Sequence, residues 1–178
     1  MHFYNLKFYC FIDKYDKSFI NNLTSNVSII YRNYSLKSHL ETIKKIKEIC
    51  KKKGLKFYLS NDIKLAIHLN LDGAYIPSFN KNLNSNSYNF KKNFTLLGSA
   101  HSLKEIRIKE RQNVKCIFLS PIFDNNKNKK SLGIFKFINL KKLTKKNVIA
   151  LGGIKMSNLN RIRNINISSI ASISLFQK

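Results

Sequence analysis

Eight short apolar runs recur along this chain, each too brief for a helix and each parted from the next by a helical pattern or a polar loop. They are Leu6 to Ile12, Val27 to Tyr31, Leu55 to Leu59, Gly73 to Ile76, Phe94 to Gly98, Val114 to Leu119, Asn147 to Leu151 and Ile167 to Phe176. Most are continuous rather than alternating, as strands buried on both faces of a parallel sheet should be. Apolar runs alternating with helices predict parallel strands joined by right-handed crossovers. A doubly wound sheet is compatible with that rhythm. Eight regular units favour closure into a (β/α)8 TIM barrel.

The stretches between the runs agree. Ile20 to Leu23 marks a short helix. Leu36, Leu40, Ile43, Ile46 and Cys50 fall at helical spacing, with a capping box at Ser38-His39-Leu40-Glu41 and a stop at Gly54. Asn61 and Asp62 cap a helix carrying Ile63, Ala66 and Ile67, and Ser102-Leu103-Lys104-Glu105 opens another that runs through Arg111. Phe135 to Leu143 reads as a weak helix, and Ser157 as the cap of the helix bearing Leu159, Ile162 and Ile165. Pro77 to Lys92 is polar with little apolar period, a long loop or a degraded helix. The 178 residues suit one domain spanning 1–178 but are few for a barrel that typically needs about 250. The expected barrel is therefore trimmed, with short loops and the last helix absent. Whether a partner copy replaces that helix in a homo-oligomer is open.

Composition excludes several functions. No apolar run reaches the roughly 18 residues of a membrane-spanning helix. The N-terminal segment is interrupted by Asn5, Lys7, Asp13 and Lys14 and lacks a small-residue cleavage site. A cytoplasmic protein is the default. The three cysteines (Cys10, Cys50, Cys116) form no spaced pair and read as reduced core residues, and the four histidines are too scattered for a zinc site. A net charge of +24 would ordinarily point to a polyanion, yet the lysines are spread along the whole chain among asparagines and isoleucines. That spread disfavours a nucleic-acid partner and suits a field that attracts phosphorylated small molecules.

In a parallel barrel, residues just past the strand C-termini share one rim. The polar ones here are Arg32 after strand two, Asn61 and Asp62 after strand three, and Asn80 beyond strand four. Ser99 and His101 follow strand five, Ser120 and a basic loop follow strand six, Gly152 and Gly153 follow strand seven, and Ser174 ends strand eight. Glycines at a strand end let the backbone approach a ligand closely, and the loops after strands seven and eight commonly bind phosphate through peptide N–H groups. Such a rim suits a phosphorylated or pyrophosphorylated substrate, with Mg2+ held by a carboxylate and substrate oxygens. Plainer roles are available: Asp62 as a simple N-cap, Ser99 as a strand-end hydroxyl, His101 as a loop histidine, and the glycines as a turn.

The order and spacing of these pieces resemble the thiamine-phosphate synthase family and its relative, the thiazole tautomerase TenI. The resemblance runs from about Phe8 to Phe176. It rests on Ser60-Asn61-Asp62 followed by Leu71-Asp72-Gly73-Ala74-Tyr75, on Gly98-Ser99-Ala100-His101-Ser102, on Leu119-Ser120-Pro121-Ile122-Phe123 and Ser131-Leu132-Gly133, and on Val148 to Ile154 and Ile170 to Phe176. It implies a transferase of thiamine biosynthesis that joins a pyrimidine methyl pyrophosphate to a thiazole phosphate. Arg32 and Asn61 would hold pyrophosphate, Asp62 would bind Mg2+, and Ser99 would contact the reacting groups. Gly152, Gly153, Ile173 and Ser174 would grip the thiazole phosphate. The family's tautomerases carry a histidine at the position of His101, which implies a proton-shuttling alternative. A non-catalytic phosphate binder is a third. The chain departs from the pattern where the family's glutamine and lysine beside the arginine fall on Ile30 and Tyr34, and where its second Mg2+ carboxylate falls near Asn80. Asp124 to Lys130 replaces a threonine-rich loop. Each lost charge implies a weaker grip on pyrophosphate and metal.

Overall fold

The computed structural model describes residues 6–34, 40–124, 130–163, 165–172 and 175–176, with Arg163 described by its backbone alone. Eight parallel strands close into a barrel in sequence order: β1 (Lys7–Ile12), β2 (Val27–Tyr31), β3 (Phe57–Ser60), β4 (Gly73–Ile76), β5 (Thr95–Ala100), β6 (Cys116–Leu119), β7 (Asn147–Leu151) and β8 (Ser169–Ser172). Closure comes from β1 pairing with β8, Phe8 opposite Ile170 and Cys10 opposite Ser172. Several strands begin later than their apolar runs. Leu55 and Val114 are buried before β3 and β6 begin and pack in the shell between barrel and helices.

Continuous apolarity follows from two buried faces with different tasks. Tyr9, Phe11, Ile30, Tyr58, Tyr75, Leu97, Phe118, Ile149 and Ala171 point inward and form the barrel's own core. Their neighbours Cys10, Ile29, Tyr31, Phe57, Leu59, Ala74, Ile76, Ile117 and Ala150 point outward against the helices. The interior is aromatic, and its rings meet edge to face: Tyr9 with Phe118 at 5.0 Å, Phe11 with Tyr75 at 5.2 Å, Tyr75 with Phe118 at 5.4 Å. That geometry sets positive ring edges against negative faces. Burial drives the hydroxyls of Tyr9 and Tyr75 up to about 12.

The helices are α1 (Lys17–Asn21), α2 (Leu40–Lys53), α3 (Ile63–His68), α4 (Leu103–Arg111), α5 (Gly133–Lys142) and α6 (Leu159–Arg163). The trimming falls between β4 and β5. The connection from β4 to β5 has only a 3-10 turn at Asn84–Ser87, and among the described residues no helix follows β8. The capping box at Ser38-His39-Leu40-Glu41 reaches outside the described residues. The Ser157 cap is not what the chain uses. Ser157 lies inside a 3-10 turn, Met156–Asn158, that precedes α6, and the Asn158 side chain accepts from the Lys155 N–H at 2.9 Å.

Candidate functional site

The C-terminal rim carries a relay of side-chain contacts from strand to strand. After β2, the Arg32 guanidinium stands 5.0 Å above the ring of Phe11, an inward residue, and so over the mouth of the barrel. No carboxylate among the described residues lies within ion-pair distance of it. Two residues on, the Tyr34 hydroxyl shares a 2.7 Å hydrogen bond with Ser60 at the end of β3, and its ring meets Phe79 edge to face at 5.6 Å. Both rings are more than half exposed. They form an aromatic rim between the loops after β2 and β4.

Asn61 takes the left-handed backbone conformation, φ 64°, and its side-chain oxygen accepts from the Asn80 amide at 2.8 Å. The loops after β3 and β4 are thereby joined. Beside it Asp62 is the N-cap of α3, accepting from the Leu65 N–H at 2.9 Å with one carboxylate oxygen. Asp62 is exposed. Ser99 is buried on β5 and hydrogen-bonds Tyr75 of β4.

His101 is held at both ring nitrogens and at its backbone N–H. Its Nδ1 lies 2.7 Å from the Ser120 carbonyl oxygen, its Nε2 3.0 Å from the Ser78 hydroxyl, and its backbone N–H donates to Glu105 at 2.6 Å. A carbonyl only accepts, so Nδ1 carries the proton, and in the neutral ring Nε2 accepts from Ser78. Ser102 caps α4 as its motif predicts, accepting from the Glu105 N–H at 3.3 Å. The glutamate reaches back to His101 rather than to Ser102.

Gly152 and Gly153 both have positive φ, 94° and 69°. Their lack of a side chain answers to a crowded neighbour. A Cβ on Gly152 would sit 2.7 Å from the Cβ of Pro121, and one on Gly153 would sit 2.4 Å from the Phe123 carbonyl oxygen. The loop after β6 lies directly on them, donating from the N–H groups of Ile122 and Phe123 to the carbonyls of Leu151 and Gly152. Asp124 closes that loop by accepting from Ser131, which holds its carboxyl below the usual range. The span 125–129 lies outside the described residues, as do Ile173 and Ser174.

Thus Arg32, Asn61, Asp62, Ser99, His101 and the glycine pair stand at one end of one barrel. Tyr34, Ser60, Tyr75 and Ser78 stand with them. Ser78 carries no signal in the sequence, because a serine in a polar loop looks like solvent-facing chain until its partner is known. Asp62 offers a carboxylate on this rim, and among the described residues no cluster of three or more acidic, histidine or cysteine side chains could hold a metal. Asp62 keeps one oxygen free of its cap. One carboxylate fits Mg2+ where substrate phosphates complete the shell, since this ion keeps waters and needs few protein ligands.

Residues 21–176 match the family model described as thiamine monophosphate synthase. Among solved structures the chain is similar to a thiamine phosphate pyrophosphorylase from Pyrococcus furiosus, at 16% identity and a TM-score of 0.75, covering 96% of this chain and 86% of that one. A second, from Bacteroides thetaiotaomicron, is 14% identical with a TM-score of 0.63, covering 96% and 83%. The 3-hexulose-6-phosphate synthase from Salmonella typhimurium is 13% identical with a TM-score of 0.71, covering 96% and 90%. At those identities the structures speak to the fold alone. No curated protein matches the sequence.

Proposed function

This chain belongs to the thiamine monophosphate synthase family, and on that premise we propose that it is a transferase joining a pyrimidine methyl pyrophosphate to a thiazole phosphate with release of pyrophosphate. The observation that carries the reading is Arg32, a cation over the barrel mouth with no ion-pair partner among the described residues. An anion is the natural complement of such a group. In the reaction, the bond from the pyrimidine methylene carbon to the pyrophosphate oxygen breaks, and its electron pair leaves with the pyrophosphate. The thiazole nitrogen then gives its lone pair to that carbon, forming the new C–N bond. Arg32 and the Asn61 amide receive the departing charge. Asp62, with the substrate phosphates, would hold Mg2+, which would supply charge neutralisation at the leaving group. The thiazole phosphate is assigned to the peptide N–H groups of Gly152, Gly153, Ile173 and Ser174. Ser99 orders the reacting groups from the floor of the mouth.

Steady-state turnover with both substrates and Mg2+ tests this. Product should form, and Arg32→Ala should cut kcat/KM by about 100-fold or more. No product from folded wild-type protein, or an Arg32→Ala variant as active as wild type, ends the reading.

One observation favours a second reading, a thiazole tautomerase: the His101 ring is fixed in one tautomer with its Nε2 beside a hydroxyl, an arrangement suited to moving a proton. Isomerisation of a thiazole carboxylate phosphate that is abolished in His101→Ala would select it.

A further inference from the structure

We propose that Lys109, on α4, and Gln112, the C-cap of that helix, both outside the barrel, are positioning residues that set the loop after β4 and thereby the rim residues Ser78 and Asn80. Lys109 is fully buried. Its ammonium donates at 2.8 Å to each of three acceptors, the carbonyls of Pro77 and Asn80 and the Gln112 side-chain oxygen. Three donors are all that an ammonium has. Gln112, also fully buried, donates from its amide nitrogen to the carbonyls of Asn80 at 3.0 Å and Asn82 at 2.6 Å. Four hydrogen bonds thus converge on one six-residue loop, and a fifth joins the two side chains that donate them.

The same end of α4 fastens the rest of this connection. Ser85 donates to the Gln112 carbonyl at 3.2 Å and Asn86 to the Arg111 carbonyl at 3.0 Å. The segment that lacks a helix of its own is tied to its neighbour's. Gly98 makes the route passable, because a Cβ there would come within 2.9 Å of the Lys109 Cδ. A buried ammonium is costly, and an apolar residue of similar volume in its place is often neutral or stabilising. Stability alone therefore does not account for a lysine here. What the lysine adds is a fixed direction for two carbonyls, and the loop so fixed presents Ser78 to His101 and Asn80 to Asn61. That these are working residues rests on the reading above. That Lys109 and Gln112 hold them does not.

Ring 15N–1H correlations of His101, assigned with His101→Gln, separate the two questions. They should be recorded for wild type, Lys109→Met and Gln112→Leu, with Lys104→Met, on an exposed position of α4, as the control. The wild type and the control should show one Nδ1–H tautomer. Folded Lys109→Met and Gln112→Leu should show shifted ring signals averaged between tautomers, together with a shift of the Asn61 side-chain amide. A pure packing role would leave both signals in place, and that result overturns the proposal. Should neither variant fold, hydrogen exchange of the wild type decides. Residues 78–82 should exchange more slowly than the exposed stretch 91–93, and equal rates overturn the proposal. An inactive protein whose His101 signals still respond would sink the transferase reading and leave this one standing.

Discussion

Asp62 is the N-cap of α3, and the role proposed for it at Mg2+ asks for one charge more than the cap does. As N-cap of α3 it needs only an acceptor for the Leu65 N–H, which asparagine supplies equally well. As a ligand of Mg2+ or a neighbour of pyrophosphate it needs the negative charge. Asp62→Asn should therefore keep thermal stability within a few tenths of a kcal/mol while removing the Mg2+ dependence of turnover. Asp62→Ala should lose about 1 kcal/mol as well. Urea unfolding beside a Mg2+ titration of activity checks both, and an Asp62→Asn enzyme with wild-type Mg2+ dependence would reduce the residue to a cap. Gly152 gives the complementary case, since its conformation alone demands glycine. With φ at 94° and Pro121 2.7 Å from any Cβ, Gly152→Ala should cost about 1–3 kcal/mol before any ligand is considered. The chain shows at this scale what its residues can and cannot announce. Ser102 and Asp62 were legible as caps because a short oxygen before an apolar period has a local use. Ser78, Lys109 and Gln112 were not, because their partners lie 23 to 32 residues away in sequence.

Among the elements, the connection from β4 to β5 departs furthest from the barrel's repeating unit. Pro77 to Lys92 was readable as polar and without period, and only a 3-10 turn forms there. What replaced the missing helix was hidden, because a lysine three residues after Ile106 looks like solvated surface in a lysine-rich chain. It lies instead on the buried face of α4. Its burial brings the ammonium down from 10.5 to about 8, with Glu105 opposing the shift. The unfolded chain thus binds more protons than the folded one between those values. Folding stability from this group should rise with pH from about 8 toward 10.5 and be lost as pH falls back through 8. Tyr9, Tyr58 and Tyr75, pushed the other way by burial, oppose it in the alkaline range. The informative quantity is then the difference between wild type and Lys109→Met in urea midpoints at several pH values. That difference should shift in favour of wild type as pH rises from 8 to 10, and a flat difference would mean that folding leaves the proton affinity of Lys109 unchanged.

The whole molecule carries 33 basic against 9 acidic side chains, and its electrostatics follow from that imbalance more than from any pair. Two ion pairs are formed among the described residues, Lys44 with Glu41 and Arg107 with Glu110, each spanning one turn of its helix. Pairs of that kind contribute a few tenths of a kcal/mol. The remaining cations repel one another across a barrel whose cohesion comes from its two apolar layers, the aromatic interior and the shell under the helices. Those layers were legible as eight apolar runs because burial on both faces leaves no polar alternation to read. The self-repulsion was legible as net charge, but its consequence needs the fold. The charges are fixed on one compact surface, within a Debye length of many neighbours, where the unfolded chain would spread them. Added salt should therefore stabilise this protein, with Tm rising between about 10 mM and 200 mM sodium chloride as screening shortens from roughly 30 Å to under 10 Å. Phosphate or pyrophosphate at matched ionic strength should raise Tm further if the rim takes an anion, because a ligand bound only by the folded state adds its own stabilisation. In Arg32→Ala the chloride response should persist and the extra response to pyrophosphate should vanish. Equal gains from chloride and pyrophosphate in wild type would mean that the field is general and that the barrel mouth has no special claim on anions.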